Sequence, residues 1–382
     1  MGFYAGGDAA IQFLGCHSID SAGHRRFCGP AARMRLRCRG DRIALHLDAD
    51  GVHFDLLIDG EKQWLSPRGM TPASMLAGAE PGSQTKGDSS ADCASFVGIA
   101  RGVVTLPLPA GVEVNVELRQ RSESAGTPMV LRGIEIGAGC LLPVPAMPPQ
   151  QQRARIEFIG DSYFVGYGNL LPEQAPERDG LPAATVSSHT DSQRGMAALC
   201  GDALAMDWRI SAVSGRGLVR NYAGVGGRCM PEIYAQTRGM GKSGQNAAAP
   251  ARNDFPADIV AINLGSNDFS TSLHEYRTEP FADAGALAAA WCRALEDFLA
   301  DLSRWHGEPL FVLVGVPHPE SPRQRQLLQQ WLAEVADNPG FGRGIHYCEL
   351  PSVPLHGCDA HPGLEGHADC ARHLAAFIQQ LR

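Results

Sequence analysis

Short runs in which apolar and polar residues alternate dominate the first part of the chain. Turn sequences such as Gly40-Asp41 and Asp59-Gly60 separate them. The runs cover residues 32–38, 42–47, 52–58, 103–108, 112–118 and 129–136. Alternation is typical of half-buried strands, and several short strands at this spacing are typical of a sandwich or jelly roll. We therefore predict an all-β sandwich, jelly-roll-like, over residues 1–142.

The hydrophobic pattern changes after a proline-rich stretch that we interpret as a linker over residues 143–153. Beyond it, apolar strand-like runs alternate with segments whose apolar residues recur at helical spacing. The strand-like runs are 155–159, 208–213, 259–264, 310–316 and 345–350, and the helical segments are 192–206, 287–305, 323–335 and 364–381. Such alternation predicts a parallel sheet with helices on both faces. We therefore predict a three-layer α/β domain over residues 154–382.

Composition narrows the classes of function. A chain of 382 residues with 44% hydrophobic and 19% charged residues is typical of a globular protein of two domains. The net charge of −8 argues against a nucleic-acid partner. No apolar run reaches the roughly 18 residues of a membrane helix. The 11 cysteines include no C-x-x-C pair, so neither a zinc ribbon nor a thioredoxin motif is indicated.

The first residues, Met1 to Gly6, lack the basic and apolar regions of a signal peptide. They favour a cytoplasmic protein unless an export signal is missing from this sequence. The sequence does not determine the disulfide pairing or the oligomeric state.

Ser162 is the candidate nucleophile. It follows the predicted strand 155–159 in Gly160-Asp161-Ser162. Glycine permits a tight turn there, and the serine can then begin a helix with its hydroxyl exposed and its own N–H directed toward an oxyanion. The competing interpretation is an ordinary turn with a helix-capping serine.

Two further blocks offer oxyanion donors. Gly215, in Ser214-Gly215, follows the next strand, where a backbone N–H can donate to a bound carbonyl, and Gly217 competes for this role. Asn267 follows the strand at 259–264, and its side-chain amide is a neutral donor. Asp268 fits a structural cap of the loop better than a catalytic role. Each residue alone is equally compatible with an ordinary turn.

His361, in Asp359-Ala360-His361-Pro362, is the candidate base. Proline restricts the residue before it to extended conformations, and Asp359 is placed to orient the ring. A metal site is a weaker alternative. It would use His361, His367, Cys370 and His373, but no matched carboxylate or C-x-x-C partner accompanies them.

The four ordered blocks resemble the SGNH (GDSL-type) hydrolase superfamily and, more closely, carbohydrate esterase family 2, the acetylxylan-esterase-like enzymes. The blocks are residues 159–169, 213–222, 262–270 and 359–362. The family also has an N-terminal β-sandwich, so the resemblance extends over nearly the whole chain.

The resemblance implies Ser162 as nucleophile, His361 as base, and Ser162 N–H, Gly215 N–H and the Asn267 amide as oxyanion donors. Asp161, Gly217 and Asp268 are candidate supporting residues. The chain departs from the wider superfamily because Cys358 stands three residues before the histidine, where an acid is usual. The closer family shares the D-x-H spacing, which implies that Asp359 orients His361. A backbone carbonyl is the open alternative for this role.

We therefore expect a serine esterase that removes O-acetyl groups from a plant cell-wall polysaccharide or oligosaccharide, with no metal or cofactor. One alternative is an esterase or thioesterase for non-carbohydrate acyl groups. Another is a carbohydrate-binding protein with a vestigial esterase site. We expect a saccharide partner and neither nucleic acid nor membrane, while the sugar and the acetylated position stay open. The resemblance implies export, in contrast to the visible N-terminus.

Overall fold

The computed structural model describes nine stretches of the chain and divides it into two compact units. The described residues are 2–49, 51–63, 96–97, 102–123, 128–143, 153–238, 253–316, 322–335 and 344–382. The first unit comprises Met1–Gln152, Tyr167–Gln193 and Gly357–Ala360, and the second comprises Arg153–Gly166, Arg194–His356 and His361–Arg382. Most of the predicted linker, residues 144–152, lies outside the described residues, so the predicted domain boundaries stay a prediction.

The first unit includes two segments that the sequence pattern groups with residues 154–382. The longer one, Tyr167–Gln193, is held by hydrogen bonds to the β-rich region. The Ser192 N–H donates to the Arg121 carbonyl over 2.9 Å, and Gln193 Nε2 donates to the Ala31 carbonyl over 2.9 Å. These hydrogen bonds join residues that are distant in sequence, and hydrophobic periodicity does not record such pairs, so the sequence does not reveal the grouping.

The first unit contains two antiparallel sheets. Its strands are β1 Gly2–Ala5, β2 Gln12–Leu14, β3 His17–Ile19, β4 Arg25–Phe27, β5 Arg33–Arg39, β6 Arg42–Asp48, β7 His53–Ile58, β8 Glu61–Lys62, β9 Phe96–Val97, β10 Gly102–Pro107, β11 Glu113–Gln120, β12 Met129–Gly137 and β13 Cys140–Leu142. One sheet has the order β10-β6-β12-β4-β3, with β1 on β12. The other has the order β13-β5-β11-β7-β8, with β2 on β5 and β9 on β7.

Side chains from both sheets form one hydrophobic core. Leu36 and Leu118 come from one sheet, and Leu45 and Ile134 come from the other, all buried. The all-β sandwich predicted from alternation is therefore confirmed, and the six predicted strands are observed with ends that shift by at most two residues. The additional strands have two to four residues, too few for alternation to stand out. A jelly-roll connectivity stays a prediction.

The second unit is built on a five-stranded parallel sheet. Its strands, in the order β15-β14-β16-β17-β18, are β14 Arg155–Gly160, β15 Asp207–Ala212, β16 Ile259–Asn263, β17 Leu310–Gly315 and β18 Ile345–Glu349. Gly160 at the end of β14 lies beside Ala212 of β15 and Asn263 of β16. The carboxyl ends of the three strands therefore meet at one edge of the sheet, where ligands of such sheets bind.

The predicted parallel sheet and its long helices are confirmed. The helices are α1 Ser162–Val165, α2 Ala183–Ser188, α3 Met196–Ala203, α4 Met230–Arg238, α5 Ala284–His306, α6 Pro322–Val335 and α7 Leu364–Gln380. The helix predicted over 192–206 is wrong in extent, because a 3₁₀ turn at Ser192–Arg194 precedes Gly195, the N-cap of α3. None of the helices described is long and apolar enough to cross a membrane.

Candidate active site

Ser162 and His361 meet in the second unit. Ser162 Oγ lies 2.7 Å from His361 Nε2, within hydrogen-bond distance. The serine side chain is nearly buried, with 8% of its surface exposed, and the histidine is partly buried. The residues are 199 positions apart in sequence, and the fold brings together the two that the sequence predicts as nucleophile and base.

The turn between β14 and α1 sets the position of Ser162. A Cβ on Gly160 would lie 2.8 Å from the Asn263 carbonyl oxygen, so only glycine lets β14 and the end of β16 approach so closely. Asp161 is the N-cap of α1 and accepts from the Tyr163 N–H over 3.2 Å. Gly166 ends the helix in the left-handed conformation. The serine therefore begins a single turn that is capped at both ends.

His361 is positioned from two sides. It precedes Pro362 and the N-cap of α7, Gly363. Its ring lies 5.3 Å from the ring of Tyr163, centroid to centroid, at an interplanar angle of 45°. Tyr163 is buried. The large residue after the nucleophile therefore packs against the imidazole.

Asp161 links the nucleophile turn to the block around Asn267. Its carboxylate is fully buried and accepts hydrogen bonds from the Ser266 hydroxyl and from Asn267 Nδ2, the latter over 3.0 Å. Burial raises the pKa of Asp161 to about 7, while the bonds from Ser266 and Tyr163 act in the opposite direction. The carboxylate therefore positions the serine turn and the amide together.

Both N–H groups of the Asn267 amide have protein partners. Nδ2 donates to Asp161 and also, over 3.0 Å, to the Arg216 carbonyl. An oxyanion would have to share one of these hydrogens or displace an acceptor. The amide nevertheless lies between the serine turn and the loop that carries Gly215.

The two glycines of that loop differ in their N–H groups. The Gly217 N–H donates to Asn221 Oδ1 over 3.3 Å. Within the described part of the chain, neither the Gly215 N–H nor the Ser162 N–H has a hydrogen-bond partner. Gly215 has a φ of 74°, a conformation that favours glycine. The structure thus leaves two backbone donors available at the strand ends.

Asp268 organises the Gly215 loop. Its buried carboxylate accepts the backbone N–H groups of Leu218, Val219 and Arg220 over 2.8–2.9 Å. Burial raises the pKa of Asp268 to about 6, against the effect of these three bonds. The contacts fit the predicted structural cap. The sequence gives no signal for Arg220, whose guanidinium donates to the Asp268 carbonyl and to Glu279.

Asp359 lies in the first unit, in a left-handed conformation with a φ of 47°. Its carboxylate accepts the Gly180 N–H over 2.7 Å and the Tyr167 hydroxyl over 2.9 Å. Burial, and then the bond to Asp359, raise the pKa of Tyr167. The role of Asp359 in orienting His361 stays a prediction.

His367, part of the weaker metal alternative, has a different environment. It is fully buried, and its Nδ1 accepts the Met196 N–H over 3.3 Å. Burial, and then the proximity of His361, lower the pKa of His367 to about 3. His373 is exposed. The described residues contain no group of three or more His, Cys, Asp or Glu side chains that could hold a metal ion.

Known proteins are similar to this chain in sequence and in structure. An acetylxylan esterase / glucomannan deacetylase of Cellvibrio japonicus is 28% identical over 247 residues, which cover 62% of this chain and 61% of that protein. A structure of a family two carbohydrate esterase from Cellvibrio japonicus superimposes with a TM-score of 0.73 at 20% identity, over 100% of this chain and 97% of the other.

A second structural relative is a family two carbohydrate esterase from Clostridium thermocellum in complex with cellohexaose. It has a TM-score of 0.70 at 20% identity, over 97% of this chain and 98% of the other. At these identities the structural likeness establishes the fold. The family model for GDSL-like lipases/acylhydrolases matches residues 156–372, more than half of the chain and all four blocks around Ser162 and His361. The chain belongs to the GDSL-like lipase/acylhydrolase family.

Proposed function

We propose that the protein is a serine esterase that removes O-acetyl groups from a carbohydrate. The observation that carries the proposal is the 2.7 Å contact between Ser162 Oγ and His361 Nε2. The N–H groups of Ser162 and Gly215, which have no hydrogen-bond partner among the described residues, add two backbone donors. A nucleophile, a base within hydrogen-bond distance and nearby backbone donors are the groups that acyl transfer through a serine requires.

In the proposed mechanism, His361 Nε2 takes the Ser162 proton while Oγ attacks the acetyl carbonyl carbon. The tetrahedral intermediate collapses as His361 passes the proton to the sugar oxygen, and the sugar hydroxyl leaves. Water, activated by His361, then attacks the acyl-enzyme and releases acetate. Asp359 orients the imidazole and stabilises its charged form.

The proposed oxyanion site consists of the Ser162 N–H, the Gly215 N–H and the Asn267 amide. Asp161 supports it by accepting the hydrogen bond from Asn267 Nδ2, and Asp268 supports it by holding the loop that follows Gly215 through three backbone N–H groups. Gly217 supports it by permitting the close approach of Asp268. Removal of the amide in Asn267→Ala should lower kcat by about 10²–10³-fold, as is typical for one oxyanion donor.

We infer the substrate class from the relatives. The chain covers less than two thirds of the Cellvibrio japonicus acetylxylan esterase / glucomannan deacetylase. That enzyme's name and the cellohexaose complex of the Clostridium thermocellum esterase favour an acetylated, plant-type polysaccharide or oligosaccharide as the substrate here.

The decisive experiment measures acetate release from acetylated xylan, acetylated glucomannan and a simple aryl acetate. Wild type is compared with Ser162→Ala and with Ser303→Ala. Ser303 is as buried as Ser162, at 8% exposed, but lies on α5 and serves as the matched control. We expect release from all three substrates, lost by several orders of magnitude in Ser162→Ala alone.

The substrates separate the alternatives. Hydrolysis of the aryl ester alone, with a preference for longer acyl chains, would support an esterase for non-carbohydrate acyl groups. Glycan binding without turnover of any ester would support a binding protein. Equal activity of Ser162→Ala and wild type would contradict the mechanism.

A further inference from the structure

One face of the sandwich carries a line of arginines. In β5, Met34, Leu36 and Cys38 point into the core, and the alternate residues lie on the opposite, outer face of the sheet. These outer residues, which we call the arginine row, are Arg33, Arg35, Arg37 and Arg39. Consecutive arginines of the row are about 7 Å apart along the strand, so the row extends over about 20 Å.

The neighbouring strands leave this face with more cations than carboxylates. Arg119 of β11 lies directly opposite Arg33, and Lys62 approaches Asp55 over 3.0 Å. The carboxylates of the face are Glu113, Glu117, Asp55 and Asp59, the last of which accepts a hydrogen bond from the outward side chain of Asn115 over 3.0 Å. Six cationic side chains therefore face four carboxylates. The surplus is notable because the whole chain has a net charge of −8.

The ion pairs within the face leave N–H donors of Arg35, Arg37 and Arg39 available. Arg35 lies 3.3 Å from Glu117, yet 44% of the Arg35 side chain is exposed. Arg37 pairs with Glu113. A guanidinium has five N–H donors, so one carboxylate contact leaves others for a ligand. Arg39 is exposed, and no carboxylate of the described residues pairs with it.

We propose that the arginine row binds the carboxylates of a uronate-bearing polysaccharide, at a site in the first unit. The inference rests on the proposed carbohydrate esterase function, which makes an acidic, acetylated polysaccharide a fitting partner. Arginine is suited to this role because its planar fork binds a carboxylate through two parallel hydrogen bonds.

The same face disfavours two other polymers. No Phe, Tyr or Trp lies at the outward positions of β5, β7 and β11, so this part of the face offers no platform on which a neutral sugar or a base could stack. Without such a platform, the face favours a ligand that offers carboxylates to the guanidinium groups.

The test measures binding of an oligogalacturonate without acetyl groups by isothermal titration calorimetry. Wild type is compared with Arg35→Gln/Arg39→Gln and with Arg304→Gln/Arg372→Gln. The control pair removes the same charge from side chains of the second unit that are 67% and 73% exposed. A neutral xylo-oligosaccharide and an oligothymidylate of equal length are the comparison ligands.

We expect wild type and the control pair to bind the oligogalacturonate equally, and Arg35→Gln/Arg39→Gln to bind it about tenfold more weakly. Binding should weaken as salt rises from low concentration to about 0.3 M. The single variant Arg39→Gln, at an exposed position, should lose less affinity for the oligogalacturonate than the double variant does. It also keeps the test valid if the double variant does not fold.

Absence of binding, equal weakening in the control pair, or equally tight binding of the neutral sugar or the oligonucleotide would overturn the inference. Hydrolysis of an aryl acetate is measured on every variant, because it requires Ser162 and not the arginine row. If wild type hydrolysed the aryl acetate but did not bind the oligogalacturonate, only the inferred binding by the arginine row would be refuted. Inactivity of wild type on all esters would refute the proposed function.

Discussion

The carboxylate of Asp161 accepts a hydrogen bond from the side-chain amide of Asn267 over 3.0 Å, although the two residues are 106 positions apart. Asp161 is also the N-cap of the turn that begins with Ser162. The nucleophile and the proposed oxyanion amide are therefore attached to the same buried carboxylate, and their relative position depends on it.

We predict that Asp161→Asn lowers kcat by about 10–100-fold with little change in KM, because an asparagine has one acceptor oxygen where the aspartate has two. The pKa of about 7 for Asp161 adds a second readout. The ionised carboxylate is the form that accepts from all three donors, so wild-type kcat should rise with pH through about 7, and this ionisation should be missing in the variant.

The control for this variant is Asp202→Asn, since Asp202 accepts a hydrogen bond from Trp208 Nε1 away from Ser162. Steady-state kinetics over pH 5–9 on an aryl acetate make the comparison. Wild-type kinetics in Asp161→Asn would show that the carboxylate does not position the amide.

We predict that Gly217→Ala impairs both activity and stability. A Cβ at this position would lie 2.0 Å from the Arg220 carbonyl oxygen and 2.5 Å from Asp268 Oδ2, so the loop would have to move. Activity should fall by at least tenfold, and the melting temperature should drop by several degrees, since overpacking typically costs about 1–3 kcal/mol. The measurements are kcat and thermal unfolding.

The same loop offers the control Gly226→Ala, because a Cβ on Gly226 would meet nothing within 4 Å. This variant should keep both activity and melting temperature. If Gly217→Ala behaved like Gly226→Ala, the close packing around Asp268 would have no part in shaping the site.

We predict that His367 makes the protein less stable toward acid. Its pKa is lowered from 6.5 to about 3, so the native state holds it neutral while the unfolded state protonates it below pH 6.5. The stability that this neutral histidine contributes is fully present above pH 6.5 and is lost as the pH falls toward 3. One pKa unit corresponds to about 1.4 kcal/mol, so the loss amounts to a few kcal/mol.

Urea unfolding of wild type and His367→Gln at pH 7.5, 6, 5 and 4 measures this effect. The free energy of unfolding should fall less steeply with acid in the variant, whatever its value at pH 7.5. His373→Gln, at an exposed position, should keep the wild-type slope. Parallel slopes in wild type and His367→Gln would contradict the assignment.

We predict that Glu157→Gln destabilises the second unit by about 3–5 kcal/mol, because it leaves buried guanidinium groups without their countercharge. Glu157 is fully buried and accepts hydrogen bonds from Arg209 over 2.8 Å and from Arg238 over 2.9 Å. The two arginines hold the pKa of Glu157 below its usual range against the effect of burial.

An exposed ion pair provides the contrast. Asp301, which is 47% exposed, pairs with Arg304 on α5. Asp301→Asn should change the free energy of unfolding by less than about 1 kcal/mol, as is usual for surface pairs. Similar losses in the two variants, measured by urea unfolding, would show that the buried network stabilises no more than a surface pair does.

The sequence by itself determined the two architectures and the residues of the proposed chemistry. Alternation of apolar residues is a local property, because it follows from the period of a strand, and it identified the six longer strands of the sandwich. The strand–helix pattern implied a parallel sheet. It also implied that Ser162, Gly215 and Asn267 lie at one edge, because each follows a strand end.

Only the tertiary structure decided which side chains share a hydrogen bond. The 2.7 Å contact between Ser162 and His361 spans 199 positions, and the pairing of Asp161 with Ser266 spans 105. The spacing of residues carries no record of such contacts, because they depend on where separate strands and loops lie in space. The same holds for the two glycine N–H groups, since that of Gly217 donates to Asn221 while that of Gly215 has no hydrogen-bond partner among the described residues.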